Sequence, residues 1–236
     1  MCADDLFVKV VLLECDYVSQ PAKSLPPEQV QEIFAIFCNL EMMAHQLGDD
    51  VERGSGELSV NSGDQYLRRT LVRIVAAHVE GYSFVLKQIV LRLRVPLQAQ
   101  LSFEELSKLE EVKLDTTGQP VLDEHGSPRR RFLPLLDNFK FANAMFGRLC
   151  GSTYVVSYGP GYEALRKSML VRDRMMHPKA IEDLNVTDTE AMDLQAAWQW
   201  HQAEMIALMK GSIEPLDERF GPLLQQGTYP APVGGA

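Results

Sequence analysis

The sequence predicts an all-α chain, a bundle of about five to six helices carrying a small β-hairpin insertion. Three observations predict it. Apolar residues recur at steps of three and four over most of residues 28–210, the spacing that lines one face of a helix. Serine, threonine, proline and glycine fall where those stretches begin and end. One interval, residues 112–132, breaks the pattern with two turn-forming clusters around a short apolar pair.

Each element follows in order. Leu6 to Val18 is a short apolar run rich in valine, closed by Pro21; its length and β-branching read as a strand, and residues 1–27 form an N-terminal strand and linker. Beyond Pro26-Pro27, the residues Val30, Ile33, Phe37, Leu40, Ala44 and Leu47 share one helical face. Gly48 ends that helix, and residues 48–64, rich in Gly, Ser, Asn and Asp, form a solvated loop. A long helix runs from Gln65 to Val95, ended by Pro96, with Leu67, Leu71, Val75, His78, Tyr82, Leu86, Ile89 and Leu93 inward.

Ser102 is placed to cap a shorter helix from Phe103 to Glu111. In 112–132, Thr116-Thr117-Gly118-Gln119-Pro120 and Glu124-His125-Gly126-Ser127-Pro128 flank Val121-Leu122, which reads as a β-hairpin. A lone hairpin is marginal in water, so the N-terminal strand is its natural partner. Helices then span Leu135 to Cys150, Gly161 to Met176 and Asp188 to Lys210, the last opened by Thr187 and Glu190 at capping-box spacing. Residues 211–236 collect Gly and Pro, lose periodicity and read as a flexible tail. The helical domain is therefore 28–210.

Composition narrows the function. The chain has 236 residues, is 46% hydrophobic and 23% charged, and carries a net charge of -9. That balance excludes a general nucleic-acid coat, which needs a positive field, but not a local basic site. Cys2, Cys15, Cys38 and Cys150 show no C-x-x-C pair and no histidine at ligand spacing. They read as isolated reduced thiols, with no metal site and no cofactor implied. The acidic N-terminus does not read as a signal peptide, and no apolar run reads as a membrane span. The expected location is cytoplasmic.

Chemistry concentrates in the fifth helix. Tyr162, Leu165, Met169, Arg172 and Met176 fall on one face, so a guanidinium shares the apolar side and needs a partner or a wet site. Asp173 and His177 are four apart and hence neighbours on the helix surface; the carboxylate is placed to fix the imidazole tautomer. Pro178 ends the helix at His177. An arginine and an orientable histidine at an exposed helix end are the groups that metal-free phosphodiester cleavage uses. Arg166, Lys167, Arg174 and Lys179 surround them as candidate RNA-binding cations.

The run Arg172-Asp-Arg-Met-Met-His177 resembles the R-x4-6-H motif of HEPN domains, including the polar residue directly after the arginine. The helix from Arg69 to Leu93, with Glu80-Gly81 in its middle, resembles the long early helix of that family. The resemblance covers residues 28–210. It implies a homodimer in which both motifs face one cleft, RNA cleavage without a metal, and a toxin or defence setting with an antitoxin-like protein as a partner. Carried over, Arg172 contacts phosphate, Asp173 orients, and His177 is the general base or acid. In one branch a tyrosine two positions after the histidine is modified; Lys179 stands there, which puts that control in doubt.

Plainer readings stand beside this one. Arg172, Asp173 and His177 also make sense as a salt-bridged helix end, and a HEPN-like module that has lost catalysis would bind nucleotide, RNA or protein. Arg73 and His78 repeat the spacing, but mid-helix, with Ile74 after the arginine and His78 on the apolar face, and read as structural. His201, on the stripe Leu194, Trp198, His201, Met205 and Leu208, reads as a satisfied core histidine. Arg129-Arg130-Arg131 reads as a solvated basic loop rather than an RNA grip. Trp198 and Trp200 cannot face the same way, so one is core and the other is available to a partner. Gly159-Pro160-Gly161 lacks the strand and third glycine of a dinucleotide loop.

Overall fold

In a computed structural model, which describes residues 27–94, 97 and 99–224, the chain is helical. The described α-helices are α1 (Pro27–Val60), α2 (Gln65–Leu93), α3 (Phe103–Glu110), α4 (Leu135–Cys150), α5 (Pro160–Met176) and α6 (Asp188–Leu224), with a short 3-10 turn at Ile181–Leu184. The strand expected over residues 6–18 and the end of the expected tail, 225–236, lie outside the described residues.

α2 is the central helix. Its length follows from an unbroken apolar stripe, and Leu71, Val75, His78, Tyr82, Leu86, Ile89 and Leu93 are all buried. Asp64 starts it, the carboxylate accepting from the Tyr66 and Leu67 N–H groups at 2.7 and 3.2 Å, which satisfies two of the open donors of the first turn. α1 and α4 pack against α2, and α5 packs mainly against α6. The main core gathers the C-terminal half of α2 with Phe139, Phe146, Leu165 and Leu208. A second cluster joins Val51, Leu71, Val72 and Val75 to Val171, Met175, Leu194 and Trp198. By length and composition α2 could also cross a membrane, which corrects the expectation that no run is long and apolar enough; 61% of its apolar window is buried within the bundle, as in a core helix.

Two expected boundaries move, and both of the expected ends fall at a glycine. Residues 48–60 belong to α1, because the stripe continues through Val51 and Leu58 onto α2. A Cβ on Gly54 would lie 3.4 Å from Leu71 Cδ1, an ordinary contact, so the helix continues through this glycine. Likewise α6 runs past Lys210 to Leu224, with Ser212 and Leu216 buried. Pro215 has no N–H for the Gly211 carbonyl; that carbonyl instead accepts from the Thr153 N–H at 3.1 Å. A Cβ on Gly211 would lie 2.6 Å from Tyr154 Cβ. These residues dock the loop after α4; they do not end the helix.

Residues 111–131 pair through isolated antiparallel bridges, Val112 with Arg130, Leu114 with Pro120 and Leu122 with Pro128, without a continuous strand among the described residues. Asp115 and Asp123 close its turns by accepting backbone N–H groups two and four residues on. Gly118 and Gly126 supply the left-handed conformation at φ 81° and 76°. Arg131 is held to this fold by a fork onto Glu104, which pulls that carboxyl down to about 2.

Candidate functional site

α5 begins at Gly159 and Pro160, the proline at a position where its missing N–H costs nothing. A Cβ on Gly161 would come 2.3 Å from Trp200 Cβ, so this Gly-Pro-Gly run is a helix start packed on α6. Trp200 is half-buried and donates to the Ser157 carbonyl at 3.0 Å. Trp198 is buried, and Trp200 packs on its own chain through this bond.

The other end of α5 stops at His177. Its backbone leaves the helical region (φ -130°, ψ 57°), as a following proline requires, while its N–H still donates to the Asp173 carbonyl at 3.1 Å. The linker beyond is tied down tightly. Asp183 accepts from the Lys179 and Ala180 N–H groups, Gln65 exchanges two bonds with the Val186 backbone, and Arg68 donates to the Val186 carbonyl and pairs with Asp188. These contacts fasten the end of α5 to the start of α2.

Arg172 lies on the α2-facing side, its side chain 29% exposed. Its Nη2 donates to Glu80 Oε1 on α2 at 3.0 Å and its Nη1 to Asp173 Oδ1 at 3.1 Å. The expected bond from His177 to Asp173 is absent, and Asp173 instead accepts from the adjacent guanidinium in a charge-assisted contact. The His177 ring is exposed and makes no hydrogen bond to any described residue. Arginine and histidine are thus both present at the helix end, but Asp173 serves the arginine.

The surrounding cations are less available than expected. All three nitrogen positions of Arg174 are engaged, by the Asp183 and Asn185 carbonyls and the Glu190 carboxylate, and Glu190 raises the guanidinium above its ordinary range. Arg174 therefore clamps the linker to α5 and α6. Arg166 forks onto Glu163 at 2.6 and 2.8 Å, and Lys167 pairs with Asp193 at 3.4 Å. Lys179 is exposed. Each of the first three cations brings its own carboxylate, so no strong positive field surrounds the site.

A groove of about 580 Å³ opens beside Arg172. Arg166, Arg172, Asp173, Glu80 and Glu111 give it charge; Phe84, Phe132 and Leu170 give it exposed apolar walls. His177 is not part of its lining. Sequence reasoning missed Glu80 as the partner of Arg172, although a guanidinium on an apolar face calls for an acid on the facing helix. It missed the groove as well, because Phe132 reaches it from the insertion and nothing local in the sequence signals that. Among the described residues no group of three or more His, Cys, Asp and Glu is gathered as for a metal ion.

His201 is buried, as expected, but only half satisfied. Its Nε2 lies 3.0 Å from His78 Nδ1, and its Nδ1 has no partner. Trp198, Tyr82 and Phe139 pack edge-on around the pair. Burial lowers His78 to about 4 and pushes His201 well down too, so both imidazoles are neutral. No family model, curated protein or solved structure matches this chain.

Proposed function

We propose that the chain is a metal-independent endoribonuclease of HEPN type, a bundle with a hairpin-like insertion that acts as a cytoplasmic homodimer in a toxin or defence setting. The observation that carries the reading is the exposed, unbonded imidazole of His177, held at a fixed helix end five residues from an anchored Arg172. A general base needs that accessibility. In the proposed reaction His177 takes the proton of a ribose 2′-OH as its oxygen attacks phosphorus. The P–O bond to the next nucleoside breaks, and its oxygen receives a proton, leaving a cyclic phosphate and a free 5′-OH. Arg172 steadies the developing phosphate charge. A second copy supplies a second imidazole, so that one serves as base and the other as acid. An antitoxin-like protein is the further partner this setting implies.

The test is direct. Purified protein cuts single-stranded RNA in the presence of EDTA, and His177→Ala lowers cutting by about 100-fold or more while the fold, read by circular dichroism, is unchanged. Equal inertness of wild type and His177→Ala across varied RNAs rejects the nuclease.

A second reading, a non-catalytic module binding nucleotide, RNA or protein, is favoured by one observation: the groove takes in Arg172 and Asp173 but not His177. It predicts binding that is intact in His177→Ala and weakened in Arg172→Ala.

A further inference from the structure

We infer that Glu80 is a positioning residue for Arg172, setting the guanidinium that the proposed nuclease turns toward phosphate; the inference rests on that reading. Two carboxylates hold Arg172, and they are not equivalent. Asp173 is its neighbour on α5 and moves with it. Glu80 comes from α2, so only it fixes the guanidinium relative to the rest of the bundle.

The backbone of Glu80 is firmly placed, while its side chain is 51% exposed. Val79 and Tyr82 beside it are buried, and at Gly81 a Cβ would come 2.5 Å from Met43 Sδ, so α1 closes over the backbone at this point. A side chain larger than glycine at 81 would make the end of the flexible Met43 side chain give way. The Arg172 contact therefore starts from a backbone position with buried residues on either side.

The chemistry fits a support rather than a blockade. The guanidinium has five N–H donors, and one goes to Glu80 and one to Asp173. Three remain for a phosphate, which needs two for a forked contact. Glu80, Arg172 and Asp173 all line the groove, so the anchored guanidinium lies where a ligand would enter. Pinning a charged side chain before substrate arrives removes the reorganisation that a mobile arginine would need. The opposite possibility is concrete: Glu80 could compete with phosphate for the guanidinium, and the two predict opposite signs.

The experiment compares wild type, Glu80→Ala, Glu80→Asp, Arg172→Ala and the Glu80→Ala/Arg172→Ala pair. Cutting is read on a single-stranded RNA, and binding on its 2′-O-methyl counterpart, which cannot be cut. Motion of the Arg172 guanidinium is read from its Nε–H resonance. Glu80→Ala is expected to lower kcat by about 10- to 100-fold with KM little changed, to release the resonance, and to cost nothing further in the Arg172→Ala background. Glu80→Asp is expected to recover part of the rate. Tighter binding or faster cutting by Glu80→Ala overturns the inference in favour of competition. An equal loss in the Arg172→Ala background overturns it in favour of a general structural role. A wild type that cuts nothing sinks the nuclease reading, and the resonance then decides alone. A guanidinium held in wild type and released in Glu80→Ala supports the positioning role, and one already mobile in wild type rejects it.

Discussion

The chain contains two arginines followed five residues later by a histidine, and the bundle treats them in opposite ways. In the α2 pair the arginine, Arg73, is exposed and the histidine, His78, is buried against His201 and Trp198. In the α5 pair Arg172 is half-buried against Glu80, and His177 stands in solvent at the helix end. A five-residue step turns a helix by about 500°, so the two side chains point some 140° apart. Only one of them can face the core. Where the histidine faces in, it becomes packing; where the arginine faces in, it acquires a carboxylate and leaves the histidine accessible. Spacing alone carries no chemistry until burial decides which residue is which.

The strongest way to expose the difference is acid. His78 is lowered by burial from 6.5 to about 4, and His201 shifts in the same direction. Above pH 6.5 both the folded and the unfolded chain hold these rings neutral, and folding loses nothing. As the pH falls below 6.5 the unfolded chain takes up protons that the folded core refuses, so stability declines until about pH 4, where His78 titrates in the fold. His78 alone then costs about 2 kcal/mol between pH 7.5 and 5, with His201 adding to it. Urea unfolding at the two pH values measures this. Replacing both rings, as in His78→Leu/His201→Leu, should remove most of the difference. Glu104 and Glu105, both drawn down to about 2, lose their contribution only below about pH 4.5, so the windows separate.

The linker that holds His177 in place offers a smaller effect. Arg174→Ala removes a guanidinium bonded to two carbonyls and the Glu190 carboxylate. Hydrogen bonds involving charged groups contribute up to about 3 kcal/mol, but this side chain is a third exposed, and a loss of about 1.5 kcal/mol is expected. Thermal unfolding reads it. RNA affinity measured well below the unfolding temperature should be unchanged. A large loss of affinity without a loss of stability would restore Arg174 to the set of RNA contacts and weaken its role as a clamp.

The parts legible in the sequence are those settled within one helix. Ser102 and the Thr187–Glu190 pair cap helices with bonds that span three residues, and local spacing is enough to see them. The inward stripe of α2 is legible for the same reason. The unseen parts depend on a second element. Gly161 and Gly211 look like breaks, yet each marks a close approach of another segment. Pro215 looks like a stop, yet the carbonyl it leaves open is answered by Thr153 from a distant loop. At the site, the face of Arg172 was legible. Its partner was not, since Glu80 lies 92 residues away, and the loss of Asp173 to the arginine follows from that geometry.

The smallest expected effect sharpens the comparison most. Arg73 is exposed, and no side-chain bond or ion pair ties it to another described residue. Arg73→Ala should therefore change stability by no more than about 0.5 kcal/mol. It should also leave RNA cutting and binding unaltered, because its histidine is sealed in the core and can take no proton from a substrate. Arg172→Ala removes a guanidinium that two carboxylates hold, so it leaves Glu80 without its partner and should lower cutting by about 100- to 1000-fold, leaving a measurable remainder. Parallel urea unfolding and RNA cleavage on the two variants make the comparison. If Arg73→Ala reduced cutting as much as Arg172→Ala, the cations on this face would act through their summed field, and the distinction drawn from burial between the two pairs would fall.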